Sequence, residues 1–193
     1  MEKNEIQKFY KNNYSVREFY HIVDKAFMSI GAFRKGKKVG FLDKKFEERI
    51  NLAVTEVNGC ELCNVFHVGK AKKAGVSQME ITSLNLGGIG IQTTKEDIAI
   101  EFAKHYAENK GKPKRLEWEK LVKAYDIEKA ESIMGAIRII MFGNAQGIAA
   151  GAFLNRLKFK PVKNSNIFNE LGIILSVVLF VPILGIKYIL KQL

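Results

Sequence analysis

The stretches Ser15-Val-Arg-Glu18 and Ser77-Gln-Met-Glu80 each set a hydroxyl three residues ahead of a carboxylate. At that spacing the serine oxygen and the glutamate satisfy amides left free at a helix start, so each stretch predicts a helix. The first is expected to run to about Phe33 and the second to end at Gly87. Asp43 can cap a helix reaching Val57, which Asn58–Gly59 then stops, and Thr94 with Asp97 opens one ending near Asn109. A further helix covers Cys60 to Ala74 and closes at Gly75. After the KGKPKR loop come RLEWEKLVKAY and a long helix from about Ile127 to Lys158. The 193 residues contain only three prolines, and apolar runs of strand length bounded by turn signals are scarce. These features predict an all-α fold. The GGIG run at 87–90 lacks a preceding strand and reads as a turn, not a phosphate-binding loop.

Two features shape the second half of the chain. Gly143, Gly147 and Gly151 recur every fourth residue and share one stripe of the long helix. Such a stripe predicts tight helix–helix packing, within the core or between subunits. From Leu171 to Ile186 there is no charge over 16 residues, with Lys187 and Lys191 beyond. A spanning helix wants about 20 apolar residues, and Pro182 is expected to interrupt this one. Residues 1–160 therefore read as the helical domain and 161–193 as an apolar C-terminal helix or tail. That tail serves oligomer or core packing, or membrane contact through residues 171–190.

The formal net charge is +11, carried in basic clusters at 34–38, 70–73, 110–115 and 158–163. These are dispersed, lack interleaved aromatics, and come without a nucleic-acid-binding signature, so no nucleic acid partner is expected. Solvated surface, or attraction to an anionic membrane, fits them better. The segment MEKNEIQKFYKNNYSV has no apolar core, so export is not expected and the chain reads as cytoplasmic, with membrane association through its C-terminal helix.

In a reducing compartment a lone cysteine pair is catalytic or metal-binding more often than structural. The two cysteines stand in EVNGCELCNVFH, residues 56–67. On a helix, Cys60, Cys63 and His67 share one face, continued by Ala71 and Ala74, while Leu62, Val65 and Phe66 lie opposite and are expected to anchor the helix in the core. Helical residues three apart hold Cβ atoms about 5–6 Å apart. A disulfide wants about 3.5–4.5 Å, so closing the pair is expected to strain the helix slightly and leave the bond easy to reduce. Position at the helix N-terminus favours a thiolate at Cys60, whereas His67, one turn beyond Cys63, can take the Cys63 proton. The preceding helix offers Glu47, Glu48 and Glu56 to hold an imidazolium. Glu48 lies on the far side from the stripe Phe46, Ile50, Ala53, Val57, beside Leu52 and Thr55, and periodicity favours it. Glu47 and Glu56 read as solvated charges.

Glu48, eleven residues, then C-E-L-C-N-V-F-H resembles the E-x11-C-x-x-C-x-x-x-H signature of the AhpD-like (alkylhydroperoxidase) branch of the carboxymuconolactone decarboxylase family. FGNAQGIAAGAFLNRL at 142–157 is similar to the Gly-Asn-containing final core helix of such proteins. The resemblance implies an all-helical fold, assembly into a homo-oligomer, and no metal or organic cofactor. It implies a peroxidase-like or disulfide-reductase activity with a redox-active disulfide, of the antioxidant, peroxiredoxin-like kind. Glu48 and His67 would relay a proton from Cys63, whose thiolate reduces a peroxide or attacks a disulfide, and Cys60 would resolve the intermediate. The electron donor would be a thiol or lipoyl-type group. One departure is Leu62, where dedicated alkyl hydroperoxide reductase partners carry a histidine before the second cysteine; a second base is missing.

Other readings of the same residues are a pair of small buried hydrophobes, a zinc site of Cys60, Cys63, His67 and Glu48, and a non-enzymatic, membrane-associated redox sensor. Lactone decarboxylation is disfavoured, since that chemistry generally does not depend on a C-x-x-C pair. His21 and His105 read as surface or boundary residues, and Trp118 as core.

Overall fold

The computed structural model describes residues 9–88 and 94–190. Among these the chain forms eight α-helices and no strand, as the capping pattern predicts. They are α1 (Val16–Lys38), α2 (Lys44–Asn58), α3 (Glu61–Lys73), α4 (Gln78–Asn85), α5 (Thr94–Glu108), α6 (Arg115–Tyr125), α7 (Ile127–Leu157) and α8 (Ile167–Leu190). Three expectations reach beyond the described residues: the GGIG turn at residues 89–90, the side chain of Thr94 as a cap, and Lys191.

The starts of α1, α2 and α4 are capped as read. Ser15 Oγ accepts from the Glu18 amide at 3.2 Å while the Glu18 carboxylate accepts from the Ser15 amide at 2.8 Å. Asp43 accepts from the Phe46 amide and Ser77 from the Glu80 amide. Helix α1 runs one turn past Phe33, because Lys35, Lys37 and Lys38 complement its C-terminal dipole and the chain turns only at Gly40.

The core is built on α7. Helix α1 lies along it most extensively, and α2, α3, α5 and α6 also pack against it. The close α1–α7 approach occurs at Gly135, where a Cβ would stand 2.9 Å from Phe33 Cβ and 3.0 Å from the Ser29 carbonyl oxygen. The stripe Gly143, Gly147 and Gly151 does not form one continuous seam against a single helix of this chain: only Gly147 faces α3. A Cβ at Gly147 would meet both cysteine sulfurs, one at Gly151 would meet the Tyr10 hydroxyl, and one at Gly143 would find only Ile140 Cδ1, at 4.0 Å.

Helix α8 docks on α1 and α7 of its own chain. Arg156 forms a fork-to-fork pair with Glu170 at 2.7 and 2.8 Å, Gln146 donates to the Ile173 carbonyl at 2.9 Å, and Lys187 pairs with Asp24 at 2.8 Å. Ile173, Ser176 and Leu184 point inward, and Phe180 packs its ring against Phe19 and Tyr20. The helix continues through Pro182, contrary to the expected break. The proline leaves the Val178 carbonyl without its i+4 donor. Val178 and Pro182 both lie on the exposed side, where that carbonyl need not be buried unpaired.

Candidate active site

Helices α2 and α3 meet at a tight corner. Asn58 ends α2, Gly59 takes a left-handed conformation (φ 69°), and Cys60 is the N-cap of α3. The extended segment 9–15 presses against this corner: Tyr10 N–H donates to the Gly59 carbonyl and Asn12 N–H to that of Asn58. The buried Asn58 side chain accepts from Tyr14 Oη at 2.7 Å and Asn12 Nδ2 at 3.1 Å. A Cβ at Gly59 would lie 2.7 Å from the Lys11 nitrogen, so glycine is required there by both φ and packing.

Cys60 and Cys63 form a disulfide with their Cα atoms 5.3 Å apart. Because Cys60 is extended (φ −83°, ψ 102°), the bond links a cap to the first helical turn and does not close across a regular turn. Cys60 Sγ accepts from the Cys63 amide at 3.3 Å, and Cys63 Sγ lies 3.7 Å from the Gly143 carbonyl oxygen. Cys60 is fully buried, whereas Cys63 is partly accessible.

His67 follows one turn after Cys63, buried between α3 and α2. Its Nδ1 stands 2.6 Å from Glu48 Oε2. Glu48, at 0% exposure, also receives Asn51 Nδ2 at 3.4 Å on Oε2, and pairs through Oε1 with Lys44 Nζ at 2.8 Å. Burial pushes the Glu48 carboxyl up, but the hydrogen bonds from His67 and Lys44 and their charges outweigh it and bring it down to about 2. An ionised Glu48 fixes the Nδ1–H tautomer and leaves Nε2 as the basic nitrogen of His67. Glu47 and Glu56 are turned away from this pair and covered by lysines, Glu47 by Lys37 and Lys44 and Glu56 by Lys11.

The expected orientation of the rest of α3 is reversed. Leu62, Val65 and Phe66 are exposed (45%, 73% and 58%), and the buried α3 side chains are His67 and Ala71. The stripe of small and hydrogen-bonding residues fits between α2 and α7, where Glu48 and Gly147 receive it. Lys70 Nζ, 4.4 Å from the Phe66 ring centre, partly covers the apolar side.

Three contributors escape sequence reasoning. Lys44, the first residue of α2, pairs with Glu48 one turn on, and nothing in its local pattern announces that role. Tyr10 donates to Glu61, inside the C-x-x-C segment, at 3.2 Å and accepts from Asn155 at 3.0 Å. Burial and the Glu61 carboxylate raise its hydroxyl to about 12, so it stays a donor. Nothing in its segment has a helical period that would announce it. Asn144, fully buried in α7, accepts from Thr55 Oγ1 at 3.1 Å and holds α7 against α2 beside the Gly143 carbonyl. Among the described residues no cluster of three or more histidine, cysteine or acidic groups is arranged to hold a metal. The sulfurs that a zinc reading needs are bonded to each other.

Fold and site together define an all-helical protein in which a C-x-x-C disulfide caps a helix, backed by a buried histidine–carboxylate pair. Residues 24–87 match the model of the carboxymuconolactone decarboxylase family, the family the sequence resembles, and the matched segment contains Glu48, both cysteines and His67. The match ends before α7, and the family includes enzymes. No curated protein and no solved structure matches the chain.

Proposed function

We propose that this protein is a thiol-dependent oxidoreductase that cycles Cys60 and Cys63 between dithiol and disulfide while reducing a peroxide or a disulfide. The observation that carries this reading is the buried Glu48–His67 pair one helical turn from an accessible Cys63, with the partner sulfur of Cys60 inside. In the reduced state His67 Nε2 takes the Cys63 proton, and Glu48 stabilises the resulting imidazolium. The thiolate attacks a peroxide oxygen; the S–O bond forms, the O–O bond breaks, and the alcohol leaves with the proton His67 returns. Cys60 then attacks the sulfenic sulfur, water departs, and the disulfide forms. Two electrons pass from the two thiols to the peroxide, and an external thiol or dihydrolipoyl-type dithiol restores them by exchange. With a disulfide substrate the same thiolate forms a mixed disulfide that Cys60 resolves. Leu62 offers no second base, so His67 carries the proton alone.

The test is consumption of cumene hydroperoxide with dithiothreitol or dihydrolipoamide as donor. Wild type is expected to turn over and both Cys60→Ser and Cys63→Ser to lose turnover. Cys60→Ser should still reduce about one peroxide equivalent and leave a Cys63 sulfenic acid that dimedone traps. Turnover that survives either serine substitution would sink the proposal, and reversible oxidation without turnover would make the protein a sensor.

We also propose that α8 rests on a membrane interface. Among the described residues it is one of two helices long and apolar enough to cross a membrane, but the other, α7, is half buried in the body. Leu175, Val178, Leu179, Ile183 and Ile186 form a continuous exposed stripe on α8. In the segment that joins α7 to α8, Phe159, 94% exposed, stands between Lys158 and Lys160 in sequence. Apolar stripe, exposed aromatic and basic flanks suit the boundary of an anionic bilayer. Cosedimentation with phosphatidylserine-containing vesicles is expected to fall about tenfold or more in Val178→Glu/Leu179→Glu. Equal pelleting of both proteins would remove the interface from the reading.

A further inference from the structure

A cavity of about 690 Å³ lies between α1, the loop joining α5 to α6, and α7. None of Glu48, Cys60, Cys63 and His67 lines it. Its inner wall is Tyr14, Ile22, Tyr106 and Met141, all buried. Cations predominate among its polar groups, beside His21 and Asn109: Lys25 and Arg17 come from α1, Arg138 from α7, and Lys110 and Lys112 from the loop. Two carboxylates accompany them. Glu18 is engaged by the Ser15 cap and pairs with Lys110 at 3.5 Å, so Lys110 is already partly neutralised, and Glu108 is exposed at the rim.

Lys25 and Arg138 make this more than a solvated basic surface. Both are half-buried, they come from different helices, and neither forms an ion pair with a carboxylate among the described residues. Arg138 is held by Nε donating to Tyr106 Oη at 3.2 Å and Nη1 donating to Ser29 Oγ at 2.8 Å. Its Nη2 hydrogens have no protein acceptor among the described residues. Lys25 Nζ donates to the Gly111 carbonyl at 2.6 Å. Gly111 is in the left-handed region (φ 80°), and a Cβ there would lie 3.4 Å from Tyr106 Oη and 3.6 Å from Lys25 Nζ. The loop backbone, a phenol and two cations from separate helices thus converge on one point. Burial, then the charges of Arg138 and Lys112, push the Lys25 ammonium down. A fixed guanidinium and an ammonium above an apolar floor are complementary to an oxyanion carried on an apolar body.

We propose that this cavity binds a small organic oxyanion, a carboxylate or a phosphate monoester, with the anionic group on Arg138 and Lys25 and its apolar part against Ile22 and Met141. The proposal is independent of the redox chemistry, and its test reads binding, not turnover. Isothermal titration of the full chain with benzoate, phenyl phosphate, inorganic phosphate and benzyl alcohol separates the contributions. Saturable binding of benzoate or phenyl phosphate is expected, with the tighter of the two naming the oxyanion, inorganic phosphate weaker, and benzyl alcohol silent. Lys25→Met and Arg138→Gln should each weaken the organic anion about tenfold or more, and Lys112→Gln, exposed and without hydrogen bonds to lose, a few-fold. If Arg138→Gln does not fold, as read by circular dichroism, the other two variants decide. Benzyl alcohol binding as tightly as the anions, or anion affinities unchanged by Lys25→Met and Lys112→Gln, overturns the proposal.

Discussion

Glu48→Gln is expected to lower peroxide or disulfide turnover by about 10²- to 10⁴-fold while the chain still folds at neutral pH. Glutamine matches the shape of glutamate and can still accept from His67 Nδ1, so positioning is largely kept. It cannot stabilise an imidazolium, which His67 becomes on taking the Cys63 proton. Stability supplies an independent reading. The folded-state Glu48 carboxyl lies at about 2 against an ordinary 4.5, so its ionised form favours the folded chain. That contribution, on the order of 3 kcal/mol, is full above pH 4.5 and disappears as the pH falls through the folded value near 2. Urea midpoints of wild type and Glu48→Gln should therefore differ most near neutral pH and converge on acidification through that window. A gap that does not narrow, or turnover within a factor of about three of wild type, would show that His67 needs no charged partner.

What could be read from the chain follows the range of the interactions. The starts of α1, α2 and α4 were legible because each cap is settled within four residues, as Ser15 with Glu18 shows. The order and approximate ends of the helices follow from the same local chemistry. The grouping of Glu48 with Cys60, Cys63 and His67 was legible through family spacing, whereas periodicity alone only favoured Glu48 over Glu47 and Glu56. The burial of α3 was misread because hydrophobicity ranks Leu62, Val65 and Phe66 above His67 and Ala71. The winning terms, the Glu48–His67 pair and the fit of two sulfurs against Gly147, involve residues on other helices. Pro182 was misread for a related reason, since the cost of a missing amide depends on whether the freed carbonyl faces water. The cationic cavity joins Lys25, Gly111 and Arg138, and no local pattern links positions so far apart.

Gly147→Ala is expected to do disproportionate harm. On an exposed helix, replacing glycine with alanine stabilises by up to about 1 kcal/mol, because alanine leaves less backbone freedom to lose. At Gly147 the new Cβ would stand 2.6 Å from Cys60 Sγ and 2.6 Å from Cys63 Sγ. Neither sulfur is the free end of a flexible chain, since one caps α3 and the two are bonded to each other. Either α3 shifts away from α7 or the cysteines move off His67, and overpacking of this kind costs about 1–3 kcal/mol. A displacement near 1 Å at the reacting atom can also cost about 10²-fold in rate. Gly143→Ala is the internal control: it lies one turn away on the same stripe, yet its Cβ would meet only Ile140 Cδ1 at 4.0 Å, an ordinary contact. It should be neutral or slightly stabilising, with turnover preserved. Thermal midpoints and peroxide consumption of the two variants therefore separate the roles of the stripe. Opposite outcomes assign Gly147 to seating the cysteine pair; equal outcomes would return the whole stripe to simple helix packing.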